Sequence, residues 1–289
     1  MKILIFGKTG QIGKELKSLL SLQGIEHKAI ARGDCNHSEM GAVQSIVDTY
    51  KPKIIINAAA YTEVDNAEED REEARLINAE FPRILAKISS EKNILLVHYS
   101  TDYIFNGFST EPIAESEIPS PINYYGRTKL DGENNIITNH NRYMILRTSW
   151  VYSTFKNNFL KKIITLLKSK DSIKVINDQY GVPTSAKFVS EMTLLLIKNY
   201  SGNSAIYNTV PKSNTTWCGY ANFILKCLVE ENIIKTKKKI IPVSSEFYKT
   251  IAKRPKYSVL DNSKLITTLN HQIDTWDIYL KKTILELKN

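Results

Sequence analysis

Two short stretches hold side chains able to put a proton on a carbonyl oxygen. In Tyr125-Gly126-Arg127-Thr128-Lys129 the tyrosine and lysine are four apart, a spacing that places both on one helix face. An ammonium beside a phenol favours the phenolate and lowers a pKa that starts near ~10. The spacing therefore predicts a phenol able to act as proton donor near neutrality. Upstream, Ser100-Thr101-Asp102-Tyr103 closes an apolar run, and Thr101 is positioned to hydrogen-bond a substrate carbonyl. A lone Tyr-x-x-x-Lys arises by chance. Paired with a strand-end Ser-Thr, it points to carbonyl reduction and calls for a hydride carrier.

The start of the chain supplies a place for one. Met1 to Phe6 runs directly into Gly7-Lys8-Thr9-Gly10-Gln11-Ile12-Gly13. Gly7 permits a tight turn, Gly10 lets the backbone approach a pyrophosphate, and Gly13 lets helix and strand pack closely, with the free N–H groups of the helix start facing phosphates. Strand 2–6 before the triplet and a helical pattern after it (Ile12, Leu16, Leu19, Leu20) give it the context of a dinucleotide site. After the second strand, Ala31-Arg32-Gly33-Asp34 puts Arg32 where a cation meets a ribose 2′-phosphate. Asp34, slightly later, suits the adenine side. A solvated loop role for Arg32 fits equally well. Asn57-Ala58-Ala59-Ala60-Tyr61-Thr62 ends the third strand with small side chains, leaving room for a flat cofactor at the sheet's carboxyl edge or serving close packing alone.

The elements that must hold these residues alternate. Strands are expected at 2–6, 27–31, 53–57, 94–99 and 143–147. Helices are expected after Gly10, at 38–50, at 71–90 with Pro82 breaking or kinking it, and at 124–138. That alternation predicts an α/β, Rossmann-type doubly wound parallel sheet. Beyond it the regularity weakens: helical stretches at 158–170 and 187–200 flank a turn-rich 178–184, followed by a strand at 206–210, a helix at 219–231, and a last helix near 275–287. Residues 1–150 are read as the NAD(P)-binding domain including the Tyr-Lys helix. Residues 151–289 are read mainly as a smaller substrate-binding lobe, with some segments returning to the sheet.

Composition narrows the class. The 289 residues, 42% of them hydrophobic, suffice for one large core or a core plus a small lobe. No apolar run approaches the ~18 residues of a membrane span. The N-terminus lacks a signal-peptide pattern, so a cytoplasmic location is expected. Cys35, Cys218 and Cys227 have neither disulfide-framework nor zinc spacing and read as reduced and structural. The formal net charge is +9, but the cations are spread along helical segments, with one cluster at Lys235 to Lys239. They read as solvated faces and not as a nucleic-acid surface. A diphosphate substrate needs only one or two of them.

With these motifs in hand, the chain resembles the dTDP-4-dehydrorhamnose reductases, members of the extended short-chain dehydrogenases. The resemblance covers nearly the whole chain through GKTGQIG (7–13), NAAAYTEVDNAE (57–68), HYSTDYIFNG (98–107), YYGRTKLDGE (124–133), RTSWVY (147–152), INDQYGVPT (176–184) and RPKYSVLD (254–261). It departs at Ala31-Arg32, where many relatives carry an acidic residue, which leaves NADH or NADPH open. The resemblance implies Thr101, Tyr125 and Lys129 as catalytic residues. It implies Gln11, Ile12, Asp34, Cys35, Ala59, Ala60 and Tyr61 around the cofactor, and Thr101, Asp102 and Trp150 on the sugar nucleotide. The implied reaction reduces the 4-keto group of dTDP-4-dehydro-β-L-rhamnose to dTDP-L-rhamnose, a precursor of cell-surface polysaccharide, with Lys129 holding the ribose and tuning Tyr125. A homodimer and Mg2+ are implied by the resemblance only; no residue pattern marks a metal site.

Two rivals share the motifs. Nucleotide-sugar dehydratases and epimerases use the same fold, but the dehydratases carry Asp-Glu after the strand-end Thr, because water elimination needs an acid and a base. Here Asp102-Tyr103 stands there. A non-catalytic regulatory subunit keeping the dinucleotide fold is the other, and intact Thr101, Tyr125 and Lys129 speak against it. Stoichiometric consumption of reduced nicotinamide separates a reductase from both.

Overall fold

In β1 (Ile3–Phe6) every side chain is buried. Alternation along the strand sends Ile3 and Ile5 to one layer of helices and Leu4 and Phe6 to the other. The same two-sided burial marks β3 (Ile54–Asn57) and β4 (Leu95–Thr101), as expected of a parallel sheet covered on both faces. With β2 (His27–Ile30), β5 (Tyr143–Thr148) and a sixth strand, Ala205–Asn208, they form one parallel sheet. The computed structural model describes residues 1–35, 39–234 and 238–288. Among them the strand order is Ala205–Asn208, β5, β4, β3, β1, β2. The chain reverses direction across the sheet between β1 and β3, paired Phe6 to Asn57. A crevice therefore opens at their carboxyl ends, where such sheets bind ligands.

Helix α1 (Gln11–Leu22) covers one face through Leu16 and Leu20. The other face is covered by α2 (Met40–Tyr50) through Val43 and Val47. The helix expected at 71–90 is divided: α3 (Arg71–Arg75), a π turn (Leu76–Glu80), then α4 (Phe81–Glu91). Pro82 sits in the first turn of α4. It has no N–H to give the carbonyl four residues back, and the wider turn falls on those residues. Helix α5 (Tyr124–Asn139) packs beside α4, burying Gly126, Lys129, Gly132, Glu133 and Ile136 along one stripe. The expected helix start at Ser38 lies outside the described residues.

The C-terminal stretch splits its allegiance. Residues 186–198 cover one face of the sheet and Ala205–Asn208 joins it as a strand. Strand β6 (Val151–Tyr152), α6 (Phe159–Ser169), β7 (Ser172–Ile176), β8 (Tyr180–Gly181) and β9 (Thr184–Ser185) precede α7 (Ala186–Lys198), and the sixth sheet strand is β10. Helix α7 lies on the α1 side, placing Phe188, Val189 and Met192 in the same cluster as Ile3 and Leu16. A separate core forms around Tyr152, Leu160, Ile163, Tyr220, Ile224, Trp276 and Leu280. It is built by α6, β11 (Thr215–Thr216), α8 (Trp217–Glu230), β12 (Lys239–Val243) and α10 (Trp276–Lys288), with a short α9 (Ser263–Leu269) under the sheet. The two-residue strands are too short to show an alternation, whereas β7, paired parallel with β12, alternates with Ile173 and Val175 buried and was not among the expected strands. Lys235 and Lys237 of the basic cluster lie outside the described residues; Lys238 pairs with Asp171 at 3.0 Å. None of the three cysteines is in a disulfide, and each is buried.

One buried ion pair ties α5 to β5. Arg147 donates from Nε to Glu133 Oε1 at 3.0 Å and from Nη2 to Oε2 at 2.8 Å, with both side chains no more than 3% exposed. Removing one partner strands the other charge, a loss of about 3–5 kcal/mol. Arg147→Met is therefore expected to lower unfolding free energy by that order in denaturant titrations. The double replacement Arg147→Met/Glu133→Leu should recover most of it. Equal losses for single and double variants would show that the pair's charge balance is not what matters.

Candidate active site

The glycine turn is sterically obligatory at two of its three positions. Gly7 has φ +95°, and a Cβ there would lie 2.4 Å from the Ala58 carbonyl carbon. On Gly13 a Cβ would lie 2.1 Å from the Gly7 oxygen. Gly10 precedes α1 and offers no side-chain cap, so the first N–H groups of α1 are left for a ligand. Gln11 reaches across to the C-terminal stretch. Its Nε2 donates to the Val151 carbonyl at 3.2 Å, and its Oε1 accepts from Ser153 at 3.0 Å and Asn158 at 2.8 Å.

A cavity of about 300 Å³ opens beside this turn, walled by Gly10, Gln11, Ile12, the Ala58–Ala60 run, Tyr125 and Lys129. Ser100 and Thr148 also face it, and their hydroxyls are buried without a hydrogen-bond partner. Orphaned polar atoms, a glycine cradle and an uncapped helix start together fit a dinucleotide. Other residues expected around a cofactor lie outside this cavity's wall. Cys35 packs into the core with Leu4 and Val43. The Tyr61 hydroxyl donates to Asp70 at 2.9 Å, while its N–H and carbonyl are held by Asn78. Asp34 accepts from the Ala31 N–H at 2.8 Å and pairs with Lys8 at 3.5 Å, both of which hold its carboxyl below the usual range. Arg32 is two-thirds exposed and pairs with Glu73, not with Asp34. Among the described residues no group of three or more His, Cys, Asp or Glu could hold a metal ion. The Mg2+ that the resemblance implies has no fitting donor set and carries no step below.

Thr101, Tyr125 and Lys129 do come together. Asn123 caps α5, its Oδ1 accepting the Gly126 N–H at 2.7 Å, and Glu68 accepts the Tyr124 N–H at 2.8 Å. This fixes the first turn that carries Tyr125. Thr101 donates to Asp102 at 3.1 Å and accepts the Tyr103 N–H at 3.2 Å, and its hydroxyl lies near enough to the Tyr125 phenol to oppose its upward shift. The Tyr103 ring meets the Tyr125 ring edge-on, centroids 5.8 Å apart. The expected lowering of the phenol does not occur. Burial pushes Tyr125 up to about 12, with the Asp102 charge adding and Thr101 opposing. The reason is where Lys129 goes: its Nζ donates to the Tyr99 carbonyl at 2.6 Å and meets His98 Nε2 at 3.3 Å. Burial also brings Lys129 down to about 8, partly offset by Glu133. Tyr125 is thus a protonated acid through the neutral range, the form that delivers a proton.

Of the residues expected on the sugar nucleotide, Trp150 takes a left-handed φ of +46° just after β5, an uncommon conformation for a bulky residue. Its ring stacks on Trp217 at 3.6 Å and leaves no space for a Cβ on Gly181, which would come within 2.5 Å of it. Asp102 is buried and accepts from Ser258 at 2.5 Å. Sequence reasoning missed Ser258, His98, Asn57 and Asn78, all supporting residues. His98 and Asn57 were within quoted motifs but carried no spacing signal. Asn78 sits in the π turn, where its side chain bridges Tyr61 and Thr128.

Burial raises Asp102 to about 7, against the hydrogen bonds from Ser258 and Thr101. Because the folded value lies above the unfolded one, the neutral carboxyl's contribution is complete below about pH 4 and is lost as pH rises toward 7. Asp102→Asn removes that titration. The difference in Tm between variant and wild type is expected to move in the variant's favour from about pH 4 to pH 7, then level off. A pH-independent difference would show that Asp102 stays ionised.

The chain matches the RmlD substrate binding domain family over residues 1–289. It is 36% identical over 293 aligned positions to a dTDP-4-dehydrorhamnose reductase from Salmonella typhimurium, covering 99% of this chain and 98% of that one. Among solved structures, a dTDP-4-dehydrorhamnose reductase from Clostridium acetobutylicum superposes with a TM-score of 0.93 at 34% identity, covering all of both chains. One from Bacillus anthracis, in complex with NADP, gives 0.92 at 34% identity over 99% of each. Matched in sequence and in fold along its whole length, this chain belongs to the dTDP-4-dehydrorhamnose reductase family.

Proposed function

We propose that the protein reduces the 4-keto group of dTDP-4-dehydro-β-L-rhamnose to dTDP-β-L-rhamnose with NADPH or NADH. The observation that carries this reading is the protonated Tyr125 phenol beside Thr101, on the wall of a cavity that Gly10 and the Ala58–Ala60 run also line. Bound reduced nicotinamide supplies the hydride. The N–H groups at the start of α1 hold the pyrophosphate, and Ala59 and Ala60 keep the wall flat. Thr101 and Tyr125 grip the keto oxygen. Tyr125 gives its proton to that oxygen as negative charge develops there, a downhill transfer because an alcohol is a far weaker acid than a phenol. Lys129 orients the ribose side, and Trp150 and Asp102 line the sugar. Residues 1–150 carry the cofactor and 151–289 mainly the substrate, in the cytoplasm, where both small molecules are made.

The nucleotide end has a matching surface. Beyond Tyr124, a cavity of about 900 Å³ is bordered by Arg127, Lys249, Lys253, Arg254 and Lys256. Of these, Arg254 is held by Asp65, while the others have no ion-pair partner among the described residues. Cations left unpaired around one concavity suit a diphosphate. Arg32, in the turn just after the second strand, supports use of NADPH, tempered by its pairing with Glu73.

The reading is tested by offering nucleotide 4-keto sugars with different bases and following loss of reduced-nicotinamide absorbance. The thymidine-linked 4-keto-6-deoxy sugar should turn over best, and no turnover with any of them would reject it. Tyr125→Phe is expected to bind cofactor normally and lose at least ~10²-fold in kcat; near-wild-type turnover would remove Tyr125 from the mechanism. Arg32→Ala should cut kcat/KM for NADPH more than for NADH, by up to about tenfold, the lower end for an exposed charge-assisted contact. Glu73→Ala should do the reverse. An unchanged cofactor ratio in both would show that Arg32 does not read the 2′-phosphate.

A further inference from the structure

Trp150 is pinned on both sides. Just before it, the Ser149 hydroxyl donates to the Val182 carbonyl at 2.8 Å. Its own carbonyl accepts the Thr184 N–H at 3.3 Å, and Val151 then pairs with Thr184 in the β6–β9 ladder. Between these ties the backbone takes φ +46°. A bulky residue keeps such a conformation only where its surroundings over-determine it, which happens most often at functional sites.

The ring is fixed as well. Trp217 stacks on one face, with centroids 3.6 Å apart and planes 9° from parallel. A Cβ built on Gly181 would lie 2.5 Å from Trp150 Cε2 and 2.7 Å from both Cζ2 and Nε1. An approach along the ring plane would come closer to those two neighbours than to Cε2, so Gly181 stands over a face. That face is the one opposite Trp217, because on the same side the Trp217 ring would be nearer than any Trp150 atom. One two-strand ladder delivers both jaws. In the β8–β11 pair Gly181 lies opposite Thr215 and Tyr180 opposite Thr216, and Trp217 follows as the first residue of α8. Thr216 caps that helix, accepting the Gly219 N–H at 3.0 Å. The Trp217 Nε1–H donates to Gln179 Oε1 at 3.2 Å. The Trp150 Nε1–H has no acceptor among the described residues and is not sealed in the interior.

We propose that Trp217 is a positioning residue for sugar recognition: by closing one face of Trp150 against the Gly181 backbone on the other, it holds the indole edge-on, so that Trp150 meets the sugar through its Nε1–H and not through a stacked face. This rests on the reductase reading for the ligand, while the ring geometry stands without it. The pair sits where a sugar joining cofactor to diphosphate has to lie. Val151, next to Trp150, lines the cavity that Tyr125 and Lys129 wall, and Gln179, bonded to Trp217, lines the larger basic cavity. An open aromatic face accepts any apolar patch laid on it, whereas an N–H is satisfied only by an acceptor opposite it. An indole held edge-on therefore selects on the place of one sugar oxygen, and an indole free to turn would lose that selection.

The test is calorimetric binding of dTDP and of dTDP-L-rhamnose, which needs no turnover, together with circular dichroism of the same full-length proteins. Two indoles stacked this closely give an exciton couplet; Trp276, packed edge-on against Tyr220 and Phe223, does not contribute one. Wild type should show the couplet, and Trp217→Leu should lack it. Trp150→Phe keeps a ring in the stack and loses only the N–H; it should weaken dTDP-L-rhamnose about two- to tenfold, the scale of one neutral hydrogen bond, and leave dTDP unchanged. Trp217→Leu should weaken the sugar nucleotide at least as much, again sparing dTDP, and Trp217→Phe should recover most of that loss. A couplet that survives Trp217→Leu would overturn the stacked geometry. Equal losses for dTDP and dTDP-L-rhamnose, or wild-type binding of both by Trp150→Phe or Trp217→Leu, would overturn the proposal and leave the reductase reading standing. A wild type that binds neither ligand would overturn both.

Discussion

The site depends on how closely α5 can approach the strand ends beside it. A Cβ on Gly126 would lie 2.1 Å from the Tyr103 carbonyl oxygen, and one on Gly132 would lie 2.1 Å from the Asn78 carbonyl oxygen. Neither position tolerates a side chain without moving the helix. That approach lets Lys129 reach the Tyr99 carbonyl and His98 while Tyr125, one turn earlier, meets Thr101. The π turn and Pro82 serve the same contact, because they put Asn78 where it can hold both the Tyr61 backbone and Thr128 on α5. The Arg147–Glu133 pair then anchors the helix one turn beyond Lys129.

Once the helix is seated, desolvation does most of the electrostatic work. It raises Tyr125 and Asp102 and lowers Lys129 and His98, shifting each toward its uncharged form, although Lys129, at about 8, still carries its proton at neutral pH. A site arranged in this way holds a proton ready for an oxygen that becomes basic only during reaction. It also turns the Lys129 amine toward the Tyr99 carbonyl and His98 and not onto the phenol, which separates it from the ammonium-activated phenolate that residue spacing alone suggests.

Much of this was legible in the sequence because it follows from local rules. The glycine triplet, the two-sided apolar strands and the Tyr-x-x-x-Lys spacing each reflect a short-range constraint, and each is found where expected. The protonation state was not legible. It depends on Lys129 turning toward a carbonyl and a histidine thirty residues away, and spacing on a helix does not say which way a long side chain points. The Arg32 partner was not legible for a similar reason: Glu73 is distant in sequence. Cys35 and Tyr61 flank the cofactor region in sequence, but one side chain is turned into the core and the other toward Asp70. In the C-terminal stretch the helices were legible by their period and lie close to where they were expected, but the two-residue strands are too short to show one.

The central claim is that Tyr125 rests as a neutral acid. The direct measurement is an ultraviolet difference titration of the protein against Tyr125→Phe, which isolates the absorbance of the Tyr125 phenolate from that of the other tyrosines. The account predicts no difference signal from phenolate below about pH 10, since the phenol lies above its ordinary value. A phenolate signal with its midpoint between about pH 6 and 8 would show that Lys129 is charged and acting on the phenol, and would contradict the account.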